Sequence, residues 1–419
     1  IGDLMPLILG TNSIKDTGYD VDNSVRLDGS SSYMTKSMGT PTNIDKYSFS
    51  FWVKRSKLGV QQSIFRSTNG AASNDSHVTF QADDTLRFEE YGGSASIGKL
   101  QTTQVFRDIS AWYSILLVYD SGNGTAGNRM RMYVNGTEVT AFGTDNNPSQ
   151  NADSYFNRSG ETLSFGRTPY SGGGNYFSGY VAELVMCDGQ ALTPTDIGEF
   201  DEDSGIFKPI NVSGLTFGNN GFYLDFEDSS NLGNDANGGT DFTEVSLAAT
   251  DQTTDTCTNN FATWNSLFRK GTTTPAFSEG NLKSTFDDGG ANEFALTTFG
   301  VDTGKWYAEV KWTSATGTGA TATGILDMAY TGTADPNTSV TNAFGYFGNG
   351  NKNVSGTGSS YGASYTSGDF IGIALNCDDN QVTFYKNGAS QGTISIISGV
   401  TYGIFASDYN NKVAELNTG

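Results

Sequence analysis

The 419-residue chain carries 24 basic and 45 acidic side chains, a formal charge of −21 with a sequence pI of about 4.3. So acidic a balance argues against holding nucleic acid through its phosphates or adsorbing to an anionic membrane by charge. The single histidine, His77, rules out multi-histidine zinc chemistry, and the three cysteines, Cys187, Cys257 and Cys377, offer neither a C-x-x-C site nor a disulfide framework.

The opening nine residues lack the basic start of a secretory signal, and the longest apolar run, residues 115–119, is far below the roughly 18 needed to span a bilayer. A first residue other than methionine, and an end directly after a strand-like run at 412–419, point to a longer parent chain. With 53 glycines, 27 phenylalanines and 20 tyrosines, the composition favours short strands and polar turns. Residues 48–54 alternate: Phe49, Phe51 and Val53 share one face, Ser48, Ser50, Trp52 and Lys54 the other, which predicts a half-buried strand. His77 lies at the start of a strand-like run, 76–80, and is read as structural. Asn135-Gly136 and Asn387-Gly388, each flanked by strand-like residues, predict tight hairpins, one in each half. Residues 192–200 predict a short helix with Thr193 as cap and Pro194 in its first position. The tryptophans Trp52, Trp112, Trp306 and Trp312 fall on strand runs and are expected in the core.

After residue 210 the character changes, with a brief strand near 221–227 and then Asp-, Asn-, Gly- and Thr-rich stretches. The expected organisation is therefore a first domain over 1–212, a strand and junction over 213–260, and a second domain over 261–419. The fold class is all-β: two antiparallel β-sandwiches of jelly-roll type in tandem.

Aromatic faces stack on pyranose rings while amides and carboxylates take the hydroxyls. On that chemistry Tyr170, Asn175 and Tyr176, in a glycine-rich loop, and Tyr346 and Tyr361, in the second half, are the candidate ligand-binding residues. The acidic string around Glu199 and Glu202 reads as a solvated loop, and Glu183 and Glu309 as lone carboxylates on exposed strand faces. No catalytic residue is assigned, and the chain is expected not to be an enzyme.

Residues 51–53, 112–120, 131–136 and above all 176–184 with 188–194 resemble the laminin G-like, concanavalin A-like jelly-roll superfamily. Residues 304–310 and 368–375, leading into Lys386-Asn387-Gly388, resemble a SPRY domain, although the loops at 317–323 and 350–358 carry over no partner surface from that family. In tandem the pair resembles structural proteins of tailed phages of marine bacteria. The resemblance implies a non-enzymatic virion surface protein, capsid- or tail-associated, assembled in the host cytoplasm as a homo-oligomer. Its implied partners are other virion proteins and host surface glycans, with no nucleic acid and no membrane insertion. Two alternatives are a polysaccharide-degrading glycosidase using Glu199 or Glu202, and a bacterial cell-surface adhesin. No cofactor is assigned; calcium, which wants hard oxygen ligands, is the candidate ion for the loops at 120–128 and 228–241, whose spacing does not match an EF-hand.

Overall fold

In the computed structural model the described residues are 7–8, 18–70, 73–169, 174–268, 275–287, 293–332, 334–336 and 340–419. Contacts divide the chain into two units, one formed by Ser13–Asn260 and the other by Ile1–Asn12 with Phe261–Gly419. Regular structure among the described residues is strand, apart from single 3₁₀ turns at Ala126–Asn128, Pro194–Asp196 and Ala249–Asp251. Both units are built from stacked antiparallel sheets, so the all-β sandwich architecture holds.

In the first unit, Lys46–Arg55 lies at the centre of an eight-stranded sheet, between Tyr113–Asp120 and Ser178–Asp188. A second eight-stranded sheet, running from Phe142–Asn146 through Gln62–Thr68 and Tyr33–Ser37 to Thr243–Val245, packs across it. Phe49, Phe51, Val53, Phe65, Phe88, Phe165 and Val181 form the fully buried layer between the two. This is the apolar face that the alternation predicts.

The opposite face departs from expectation. Ser48, Ser50, Trp52 and Lys54 are also buried, because chain from the 189–260 region covers the sheet's outer side. Phe207 stacks on Trp52 at 6.2 Å between centroids. The Ser48 hydroxyl donates to Gln190 O at 2.9 Å and accepts from Leu192 N at 2.9 Å. Lys54 Nζ donates to Asp255 Oδ2 and Asn260 Oδ1, each at 2.8 Å, while Trp112 Nε1 donates to Asp255 Oδ1 at 3.1 Å. A polar strand face is thus buried at tolerable cost because the covering segment brings polar partners with it.

Residues 213–260, expected as a junction, are folded into this unit: Phe222–Leu224 and Gln252–Thr253 pair into the first sheet and Thr243–Val245 into the second. The expected helix over 192–200 is a single 3₁₀ turn, Pro194–Asp196, and the chain is already a strand by Gly198–Phe200. The Asp196 carboxylate accepts from both Thr193 N and Thr193 Oγ1 at 2.7 Å, which closes the turn without room for a second one. Both Asn-Gly hairpins form: Asn135 and Gly136 take φ 48° and 74°, Asn387 and Gly388 φ 49° and 81°, as a two-residue turn of this type requires.

The second unit pairs a sheet running from Ala276–Ser278 through Lys305–Ser314 to Ala389–Ser395 with a six-stranded sheet running from Glu293–Leu296 to Thr357–Ser360. Trp312, Phe286, Ile325, Tyr346, Tyr365 and Phe384 are buried between them. One pairing among the described residues is parallel: Leu7–Ile8 lies beside Trp306 and Tyr307, so this segment belongs to the second unit and not to the 1–212 domain expected for it. Of the four tryptophans expected in the core, Trp52, Trp112 and Trp312 are buried, whereas Trp306 is half-buried and its Nε1 donates to Thr303 O at 2.6 Å.

Candidate functional site

The candidate site lies where the loop after Thr162–Phe165 returns to the sheet. Thr168 and Gly174 bridge each other, with Thr168 N donating to Gly174 O at 2.9 Å, and Phe177 N donates to Gly166 O at 2.9 Å. Between these two pairs, Arg167 alone opposes both Asn175 and Tyr176, the two-against-one count of a β-bulge. Asn175 carries the bulge's left-handed residue, φ 39°, a conformation asparagine tolerates better than most. The neck is braced from below, since Arg66 Nη1 donates to the buried Thr168 Oγ1 at 3.1 Å and Ser63 N donates to Asn175 O at 2.8 Å.

This geometry collects side chains on Tyr33, from the adjacent strand Tyr33–Ser37. The Arg167 guanidinium lies 3.5 Å above the Tyr33 ring centroid, and the Tyr176 ring lies 6.4 Å from it, tilted by 52°. Tyr33, Arg167 and Tyr176 are half-buried and Asn175 is exposed. The Arg167 Nε is shielded from solvent and makes no hydrogen bond. A stacked aromatic–cation platform edged by an exposed amide can take a sugar ring and its polar substituents.

Of the residues chosen from the sequence, Asn175 and Tyr176 stand here, and Tyr170 lies outside the described residues. Tyr33 was missed because it enters through sheet pairing, Phe165 opposite Met34, from 132 positions away (165 minus 33). Tyr346 and Tyr361 are corrected. Tyr346 is fully buried, its ring 4.8 Å from Tyr365 and 5.4 Å from Tyr361, and its hydroxyl donates to Ala363 O. Tyr361 is half-buried, meets Phe384 edge-on at 6.3 Å and donates its hydroxyl to Gly392 O. Tyr346 uses ring and hydroxyl to close the second unit's core, and Tyr361 packs against that core with Lys352 Nζ 5.2 Å from its ring centroid.

The carboxylates behave differently from expectation in one case. Glu183 is buried at 6% exposure, because a bulge between Ala182 and Val185 sets Glu183 and Leu184 together against Phe51 and gives Glu183 φ 49°. Its oxygens accept from Tyr223 OH at 3.0 and 2.9 Å and from Tyr19 OH at 3.4 Å. Burial, followed by repulsion from Asp225, raises its pKa to about 7 in spite of the tyrosine hydrogen bonds. Glu309 is half-buried and accepts from Tyr307 OH at 2.8 Å. Glu199 is exposed on the hairpin of Gly198–Phe200 with Phe207–Pro209, 3.2 Å from Lys208 Nζ, and Glu202 is exposed beyond it. His77 is buried in Ser76–Phe80 with Nδ1 2.9 Å from Asp75 O; burial, then the nearby Arg66 charge, lowers its pKa to about 4.

The acidic loops explain themselves without an ion. In the 228–241 loop, Asp235 Oδ2 lies 3.4 Å from Lys36 Nζ, which also donates to Thr240 O and sits 5.7 and 5.4 Å from the Phe222 and Phe242 ring centroids. The cation this loop surrounds is an ammonium of the chain itself. In the 120–128 loop, Asp120 Oδ2 lies 3.4 Å from Lys46 Nζ, and Asn123 Oδ1 accepts from Thr125 N at 2.9 Å. Among the described residues no group of three or more His, Cys, Asp or Glu side chains is placed to hold a metal.

Residues 28–198 match the family model of the concanavalin A-like lectin/glucanases superfamily, and residues 305–405 match that of the SPRY domain. The chain thus carries a laminin G-like domain followed by a SPRY domain. No curated protein sequence matches the chain. Among solved structures it is similar to a human SPRY domain, at 18% identity over 33% of this chain and 92% of that one, TM-score 0.28. It is also similar to a heptameric SAP-like pentraxin from Limulus polyphemus, at 18% identity over 42% of this chain and 80% of that one, TM-score 0.32. A candidate carbohydrate-binding protein from Bacteroides ovatus shares 15% identity over 55% of this chain and 61% of its own, TM-score 0.37.

Proposed function

We propose that the chain is a non-enzymatic carbohydrate-binding surface protein, and that the bulged neck at Arg167, Asn175 and Tyr176 is its binding site. The observation that carries this reading is the Tyr33–Arg167–Tyr176 platform, in which a guanidinium stacks 3.5 Å over one ring beside a second ring and an exposed amide. A non-catalytic role fits the carboxylates: Glu183 is engaged by Tyr223 and Tyr19, and Glu199 is exposed beside Lys208. In keeping with the resemblance of the domain pair to phage structural proteins, we place the protein on a virion surface, as a capsid- or tail-associated homo-oligomer that meets host glycans and neighbouring virion proteins. Repetition of a weak site on an oligomer would raise its working affinity through avidity.

The test is a glycan array probed with the full chain displayed on a multivalent carrier. A defined set of glycans should bind, and Tyr176→Ala should reduce that binding about tenfold or more. An array without binding, or binding untouched by Tyr176→Ala, overturns the assignment of this site. Immunogold labelling of native particles tests the location: label on intact virions supports it, and label confined to bacterial envelopes overturns it.

A further inference from the structure

We infer, resting on the carbohydrate reading above, that the neck site selects sugars bearing an anionic group, a uronate carboxylate or a sulfate ester, and that Arg167 is the residue that selects them.

The argument starts from the contrast with Arg66, whose strand pairs with the same element, Ser164 opposite Arg66. Arg66 is clamped at both Nε and Nη2 by the two oxygens of Asp75 and gives Nη1 to Thr168. That is the planar, two-bond geometry in which a guanidinium holds a carboxylate best. Arg167 has the same fork, and no carboxylate among the described residues answers it. In a chain with 45 acidic side chains the supply of carboxylates is not the limit.

Its ring stacking explains how the unpaired cation persists. Lying 3.5 Å over the Tyr33 centroid, the guanidinium is stabilised on its face, which leaves the in-plane N–H groups to hydrogen-bond. Because its Nε is shielded from solvent, as are the Nε atoms of Arg26, Arg55 and Arg131, an incoming anion would meet the two Nη groups of the fork. Across the bulge, the exposed Asn175 amide and the Tyr176 ring stand where the body of a sugar ring would lie once its charged substituent reached Arg167. Because the whole chain is strongly negative, a general polyanion attraction is absent, and selection must be local to this fork.

The experiment is calorimetric titration of the full chain with four oligosaccharides: a hexuronate hexamer, its carboxyl-reduced counterpart, a sulfated neutral hexamer and its unsulfated parent. The wild type should prefer one anionic member over its neutral twin about tenfold or more, and the member preferred identifies carboxylate or sulfate. Arg167→Gln should bring that preference to within about twofold, and Arg167→Lys should keep only part of it. The readout is a ratio within each variant, so a loss of folded protein cancels. Equal wild-type affinity within both pairs, or an undiminished preference in Arg167→Gln, overturns the inference while leaving the carbohydrate reading intact. Binding of none of the four also overturns it, and the glycan array then decides the broader reading on its own.

Discussion

The first unit contains two bulges that put a non-glycine residue in the left-handed region, Asn175 at φ 39° and Glu183 at φ 49°, and they end in opposite chemistry. Glu183 is turned into a buried pocket of hydroxyls, where Tyr223 and Tyr19 engage its oxygens. The Asn175–Tyr176 bulge turns its side chains outward beside a guanidinium whose buried Nε has no partner. The same backbone device re-aims side chains in both places. The two differ in what meets the side chains: the Tyr223 and Tyr19 hydroxyls at Glu183, and solvent at Asn175.

Substitutions that exploit this difference should give opposite signatures. The largest effect belongs to Glu183→Ala, which leaves the Tyr223 hydroxyl only its 3.3 Å contact with the Tyr19 hydroxyl and opens a cavity; we expect a loss of about 2–4 kcal/mol in thermal or denaturant unfolding with glycan affinity in the surviving folded protein unchanged. Next comes the pH dependence of the same group. Since its folded pKa is raised to about 7 from an ordinary 4.5, the stability it contributes is fully present below about pH 4.5 and is lost as pH rises through 7. At about 1.4 kcal/mol per unit the loss is up to about 3 kcal/mol. Glu183→Gln keeps a hydrogen-bonding group without the charge, so its melting temperature should overtake that of the wild type between pH 5 and about 8, a crossover that parallel melts would detect. Equal slopes for the two proteins would contradict the buried-carboxyl account.

At the outward bulge the order reverses. Arg167→Gln and Tyr176→Ala should shift stability by about 1 kcal/mol or less, in keeping with half-buried positions, while weakening anionic glycan binding about tenfold. The smallest effect is that of Asn175→Gly, which relieves the positive φ; stability should rise by a few tenths of a kcal/mol up to about 1, with affinity falling only severalfold for loss of the amide. If Asn175→Gly instead destabilises the protein as Glu183→Ala does, the two bulges are not functionally different.

How much of this was legible in sequence depended on the range of the interaction. The alternation of Phe49, Phe51 and Val53 and the two Asn-Gly turns are local signals, and both survive in the structure. The burial of Ser48 and Lys54 was not legible, since Gln190, Asp255 and Asn260, which satisfy them, lie well over a hundred residues on. Glu183 has the same cause: a strand pattern predicts an exposed carboxylate, and only the register break against Phe51 turns it inward. Tyrosine content near glycine marked Asn175 and Tyr176, which lie at the domain surface, and equally Tyr346, which is a core ring. Composition records that an aromatic is present; which face it shows is decided by the opposite sheet. Likewise the Asp- and Asn-rich 228–241 loop looked ready for calcium until Lys36 entered it from another strand.

The most direct test of the central claim is a crystal structure of the full chain soaked with the tightest-binding hexamer. The account predicts a sugar ring against Tyr176 and the Asn175 amide with its anionic group on the Arg167 fork, and the neck backbone unmoved. A sugar bound elsewhere on either unit, with Arg167 still unpartnered, would contradict it.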